Sequence, residues 1–133
     1  MLAFQVALGQ QKDEFVYFIN LDEVPTYDGC QKSAATDRKD CFKRSLNKHF
    51  SKNLNLKPGY LKLKYDFRIE KDGSSKLKTV KNYGTTGGFQ LDPTLKNEIA
   101  RIVALIPKMR TPAKYYGKNV RVKYLDYMKI RVE

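Results

Sequence analysis

Residues 61–70, LKLKYDFRIE, alternate without a break: Leu61, Leu63, Tyr65, Phe67 and Ile69 are apolar, while Lys62, Lys64, Asp66, Arg68 and Glu70 are charged. A strict period of two sends successive side chains to opposite sides of a pleated strand, so the segment has one buried and one charged face. A sheet must therefore exist, and another layer must cover its apolar side. KDGSS (71–75) follows it. Asp-Gly is hairpin chemistry, because a tight connection needs positive φ. Leu77, Thr79 and Val80 open the return strand, so residues 60–84 form a hairpin.

The covering layer is legible on either side of that hairpin. In DRKDCFKRSLNKHFSKN (37–53), Phe42, Leu46 and Phe50 recur every four residues, with His49 beside them and Lys39, Lys43, Lys48 and Lys52 elsewhere. That spacing predicts a helix, with Asp37 as its cap and Asp40 at the positive end of its dipole. LKPGY (56–60) breaks it. DPTLKNEIARIVALIPK (92–108) predicts a second helix: Asp92 caps it, Pro93 occupies the first turn, and Pro107 ends it. Its buried stripe is Leu95, Ile99, Ile102, Val103 and Ile106.

Residues 117–133 read as a long final strand, with Val120, Val122, Tyr124, Met128, Ile130 and Val132 on one parity. Asp126 falls in that set while Leu125 and Tyr127 are apolar on the other, which a bulge near 125–127 would reconcile. EFVYFINLDEVP (14–25) is a short strand or extended arm, and 26–36 is loop. The order is (β)αββαβ. The expected class is α+β, with two helices packed on one face of a small antiparallel sheet and the other face wet.

Length and composition bound the rest. The 133 residues make one domain, and 41% hydrophobic content supports a core. A net charge of +12 draws the chain to polyanions: nucleic acid, anionic lipid or an acidic protein. No apolar run is long enough for a membrane-spanning helix. LAFQVAL (2–8), with small Ala7 and Gly9, has two readings: a truncated signal peptide over 1–9 lacking its basic lead, or an ordinary N-terminal strand.

Candidate chemistry is sparse. Two cysteines and one histidine fall short of the four ligands of a structural zinc site. Ten residues separate Cys30 from Cys41, where a redox C-x-x-C pair has two. They form a disulfide if the chain is exported and stay free thiols if it is cytosolic. His49 reads as a core-edge residue, which leaves no nucleophile–base pair to propose. Asp66 and Glu70 lie among Lys62, Lys64 and Arg68, so ion pairing accounts for them. GTTGG (84–88) lacks the Lys-Ser/Thr ending of a phosphate loop. Tyr65 and Phe67 share the apolar face, so they are core and not a base-stacking platform, which disfavours nucleic acid. No cofactor and no enzymatic activity are expected.

Several ordered segments resemble one family. VPTYDGC (24–30), with a second cysteine in DCF (40–42), resembles the opening of periplasmic energy-transducer TonB C-terminal domains, in a subgroup with a Cys pair. The likeness continues through FRIEKDGSSKLKTVKN (67–82) and LKNEIARIVALIPKMRTPAKYYGKNVRVKY (95–124), covering roughly residues 14–133. It implies an extended arm and loop over 10–36, a TonB C-terminal-like domain over 37–133 and a periplasmic binding module. Such a module takes a receptor peptide, the TonB box of an outer-membrane receptor, by strand addition at its last strand.

Carried over, the peptide-binding edge runs from about Val120 to Ile130 and comprises Val120, Arg121, Val122, Lys123, Tyr124, Leu125 and Tyr127. Arg121 and Lys123 supply basic contacts, and Tyr124 and Tyr127 apolar or stacking ones; the same edge could pair two copies as a homodimer. An exported domain also implies a Cys30–Cys41 disulfide. Two departures stand out. A complete transducer has a membrane anchor and a Pro-rich spacer, so this chain reads as a fragment or a stand-alone module. Asp28 replaces a common Pro, and the last strand is more charged than usual. The alternatives are an exported interaction domain whose partner is another protein or an anionic envelope surface, and a basic nucleic-acid-binding protein.

Overall fold

A computed structural model describes residues 15–54, 59–82, 86–87 and 93–132. The expectations for residues 1–9, residues 56–58 of the LKPGY break, the Asp92 cap and most of GTTGG lie outside the described residues.

The alternating segment is strand β2 (Gly59–Ile69), and β3 (Ser75–Asn82) pairs with it antiparallel from Leu63↔Asn82 to Ile69↔Ser75. Its turn is closed by the Glu70 N–H donating to Ser74 O at 2.8 Å and the Gly73 N–H donating to Glu70 O at 2.9 Å. The Asp72 carboxylate accepts the Ser74 N–H and hydroxyl at 2.9 and 2.6 Å. Gly73 sits at φ +92, and a Cβ there would lie 2.8 Å from the backbone nitrogen of Met109, so both conformation and space demand glycine. Leu63, Tyr65, Phe67 and Ile69 are at most 3% exposed, as their parity predicts.

Two helices cover that face. Helix α1 (Arg38–Asn53) buries Phe42, Leu46 and Phe50. Asp37 occupies the N-cap position but its carboxylate makes no capping bond. The Cys41 N–H reaches Asp37 O at 2.9 Å, and a disulfide ties Cys41 to the buried Cys30 with Cα atoms 6.0 Å apart. Helix α2 (Pro93–Ala104) buries Leu95, Ile99, Ile102 and Val103, with Ile106 just beyond it. His49 joins the helices: its Nε2 lies 2.7 Å from Ile102 O. A carbonyl only accepts, so Nε2 carries the proton, leaving Nδ1 to accept from Asn53 at 3.4 Å.

The sheet is mixed, which corrects the antiparallel expectation. Strand β1 (Phe15–Tyr17) runs parallel to the long last strand β6 (Lys118–Val132), with Phe15↔Arg121 and Tyr17↔Lys123 in register. The order is β1-β6-β2-β3, with the two-residue β4 (Thr86–Gly87) beside the start of β2. Strand β5 (Ala113–Tyr115) forms a hairpin with the start of β6, an element absent from the sequence reading. Its two-residue turn, Tyr116-Gly117, has φ of 51 and 74. Positive φ at both positions matches the twist of a tight hairpin. The Tyr116 N–H is held by the Asp22 carboxylate.

The arm before α1 is built into the same core. After β1 the chain makes a 3-10 turn at Phe18–Asn20, then bridges Lys114 at Glu23 and Thr111 at Thr26. Phe18, Tyr27 and Cys30 are buried, and the Phe18 ring meets Phe42 and Tyr124 at 4.8 and 5.0 Å. Burial pushes the Tyr27 phenol up to about 12.

The bulge expected near 125–127 is not there. The β2–β6 register is unbroken from Gly59↔Val132 to Ile69↔Val122. Asp126 keeps its inward parity because polar partners receive it: Tyr124 Oη–H donates to Oδ2 at 2.9 Å and the Tyr127 N–H to Oδ1 at 2.7 Å. The irregularity lies instead on β3, where Lys78 is the extra residue between the Asp66↔Thr79 and Phe67↔Leu77 pairs.

Candidate functional site

The seven residues of the expected edge fall into different environments, because β6 has a neighbour on each side for part of its length. Val120 lies in the β5–β6 hairpin, opposite Ala113. Arg121, Val122 and Lys123 are flanked by β1, and from Val122 onward β2 lines the opposite side. Among the described residues, no strand continues along the β1 side past Lys123, since the chain leaves it in the 3-10 turn at Phe18.

The buried and exposed members separate by parity. Val122 and Tyr124 are 0% and 2% exposed, inside the core. The Tyr124 ring packs on Phe42 and Phe67 at 5.4 and 5.0 Å. Burial, then the neighbouring Tyr65 hydroxyl and Asp126 carboxylate, push the Tyr124 phenol well above its ordinary range, so it serves as a donor. Leu125 and Tyr127, on the other parity, are 45% and 48% exposed. Alternate residues of an antiparallel strand turn their backbone groups to opposite sides. The Tyr127 N–H, donated to Asp126 rather than into the β2 ladder, marks the odd residues as those facing away from β2.

The two basic members are engaged. Arg121 grips Glu70 through Nε at 2.6 Å and a second nitrogen at 3.0 Å, and its guanidinium stacks 3.8 Å from the Phe15 ring centroid. Lys123 lies 3.7 Å from Asp66 and 5.1 Å from the Tyr17 centroid. Asp66 is only 5% exposed despite its outward parity, because Lys123 and Arg68 cover it. The Arg68 Nε contact at 3.5 Å is a charge contact without hydrogen-bond geometry. The ion pairing expected for Asp66 and Glu70 is present, with its partners drawn largely from β6.

Alongside the open stretch of β6 runs a groove. A cavity of about 210 Å³ lies between the Tyr17–Ile19 segment, Lys39 and Lys43 of α1, and Lys123–Asp126. A second, of about 300 Å³, lies between Asn47, Phe50 and Ser51 of α1 and Tyr127–Lys129. Lys39, Lys43, Asn47 and Ser51 are spaced by four, one ridge of a helix. Twelve helical residues rise roughly 18 Å and six strand residues roughly 20 Å, so ridge and strand match in length. The first cavity carries Lys39 and Lys43 on its helix side and Asp126 on its strand side, with Ile19, 77% exposed, in the same lining.

The ridge is the part of the site that sequence reading missed. Its signal was present in the four-residue spacing, one step from the Phe42–Leu46–Phe50 stripe, but it could not be assigned without knowing which strand lay beside it. Among the described residues there is no group of three His, Cys, Asp or Glu placed to hold a metal, and no helix is long and apolar enough to cross a membrane. Comparison of the chain with protein-family models, curated proteins and solved structures finds no match.

Proposed function

We propose that the chain is a protein-binding module that takes an extended peptide as an added strand along Leu125–Lys129, in the groove beside α1. The observation that carries the reading is the open side of β6 past Lys123, walled by a helix ridge of matching length. A strand laid there gains main-chain hydrogen bonds from β6, while its side chains meet α1 on one face. Lys39 and Lys43 favour an acidic residue at that end of the peptide.

The likeness of VPTYDGC, DCF and the segments that follow to TonB C-terminal domains supports a more specific version. In it the peptide is the TonB box of an outer-membrane receptor and the compartment is the periplasm. The Cys30–Cys41 disulfide is compatible with an exported protein. The same edge would serve a homodimer, and the two uses would compete.

The test is titration of synthetic peptides from receptor N-termini against the full chain, wild type and Leu125→Pro. Proline is tolerated on a strand edge that faces away from the ladder, so the variant keeps its fold but removes one outward N–H. Binding that weakens at least tenfold in the variant, with an unchanged circular dichroism spectrum, supports strand addition. Absence of binding to any receptor peptide removes the receptor reading, and equal binding by both proteins removes strand addition. Sedimentation velocity of the free chain separates a pre-formed dimer from a monomer.

A further inference from the structure

The open edge of β6 is not bare. Tyr127 turns its N–H toward the groove, and the Asp126 carboxylate already takes it there, with Oδ1 at 2.7 Å. The other oxygen of that carboxylate accepts the Tyr124 hydroxyl at 2.9 Å, and Tyr124 is inside the core. The side chain is thus held at both oxygens, one on the core and one on the edge. An ionised acceptor makes a shorter and stronger contact with an N–H than a neutral carbonyl does. Asp126 also breaks its own row. Val122, Tyr124 and Met128, of the same parity, are buried and uncharged. An inward-pointing charge on an edge strand is one of the means by which a sheet avoids casual pairing.

Backbone geometry sets what a visiting strand must do. Leu125, Tyr127 and Lys129 turn their backbone groups to the groove, because alternate residues face opposite sides. A strand that reaches only Tyr127 replaces one hydrogen bond by another and gains nothing. A strand that spans Leu125–Lys129 gains the flanking positions as well, and so can displace the carboxylate. The displaced oxygen meets cations when it turns away, since Asp126 lines the cavity of about 210 Å³ together with Lys39 and Lys43 of α1.

We propose that Asp126 is a latch on this edge. Its carboxylate closes the Tyr127 N–H in the free chain and gives way to an extended strand that spans Leu125–Lys129. Shorter contacts are refused, and pairing with a second copy is weakened. The inference rests on the peptide-groove reading and adds the regulation of that groove.

The experiment is residue-resolved amide hydrogen exchange by NMR on the full chain, with sedimentation velocity and receptor-peptide titration on the same samples. The proteins are wild type, Asp126→Asn and Asp126→Val. Asparagine keeps an acceptor oxygen without the charge, while valine suits a strand and removes the acceptor. In wild type the Tyr127 amide should exchange more slowly than the Leu125 amide of the same edge, by on the order of tenfold. The difference should shrink in Asp126→Asn and vanish in Asp126→Val. The bared edge of the valine variant should shift sedimentation toward dimer and tighten any peptide that binds wild type by about tenfold.

Equal exchange at Tyr127 and Leu125 in wild type, a comparison that needs neither variant nor peptide, overturns the latch. So does a Tyr127 rate that valine leaves unmoved. In either case the groove reading stands if Leu125→Pro still weakens peptide binding. A Tyr127 amide that valine releases, with no gain in self-association or in peptide affinity, shows instead that the edge takes no strand. That outcome removes the groove reading and the latch with it.

Discussion

Two stretches of the same strand behave as different materials. Arg121–Lys123 runs beside β1, with β2 on the other side from Val122, its cations are tied to Glu70 and Asp66, and Val122 is fully buried. Leu125–Lys129, a few residues on, has β2 on one side and a helix-lined groove on the other. The stretches also differ in sequence, RVK alternating basic and apolar residues and LDYMK not, but that is not what opens one of them. The difference comes from where the N-terminal arm leaves: β1 ends at Tyr17, and the 3-10 turn carries Phe18 inward. A strand's availability is thus set by its neighbour's length and not by its own sequence.

The sharpest way to break the comparison is to place proline in each stretch. Val122→Pro removes an interior ladder bond and forces a ring into a packed site, so a loss of about 3 kcal/mol or more is expected, seen as a collapse of the urea midpoint. Leu125→Pro should leave that midpoint nearly in place. Equal damage from both would mean that the second stretch is not open.

Next in size is the disulfide. Cys30→Ser with Cys41→Ser frees a short loop and should cost about 3 kcal/mol through the unfolded state. Reduction of the wild type should give a similar shift, measured by thermal melting with and without reductant. The start of α1, which walls the Lys39–Lys43 end of the groove, loses its tether with it, so peptide affinity should fall as well.

A smaller effect is expected at the junction. Phe15→Ala removes the ring beneath Arg121 and Arg68, at a cost of roughly 1–2 kcal/mol. Amide exchange is the discriminating readout. Exchange at Arg121 and Lys123 should accelerate in the variant, while exchange at Leu125, past the end of the β1 pairing, should not change. The smallest effect belongs to Glu70→Gln. It weakens a two-bond contact to Arg121, but both partners are about a third exposed, so the loss should stay under about 1 kcal/mol and shrink further in salt.

What the sequence disclosed about this fold followed from local periodicity. The alternation of 61–70 and the stripes through Phe42 and Ile99 hold because each pattern is enforced by one buried face. The pairing of Phe15 with Arg121 spans most of the chain and leaves no local trace, which is why a mixed sheet was not legible. Tyr116 hid a hairpin, since a tyrosine at positive φ is not the residue a tight turn announces itself by. Asp126 suggested a bulge because parity alone cannot foresee that a buried tyrosine hydroxyl will receive a carboxylate. The choice of β6 as the candidate binding strand rested on resemblance. Which half of it is open, and that a helix ridge faces it, came only from three-dimensional neighbours.

The position of β6 bears on how the molecule assembles. The strand nearest the chain's end is the one between β1 and β2, so the sheet has edges before it has a middle. During synthesis, the β2–β3 hairpin and both helices emerge while the strand that joins them to the arm does not yet exist. Closing β1 onto β6 then requires one of the longest loops the chain can make, a step that slows folding. Until residues 118–132 arrive, β2 can close against β3 and the helices but lacks its partner on the β6 side, and the nascent chain exposes that unpaired edge.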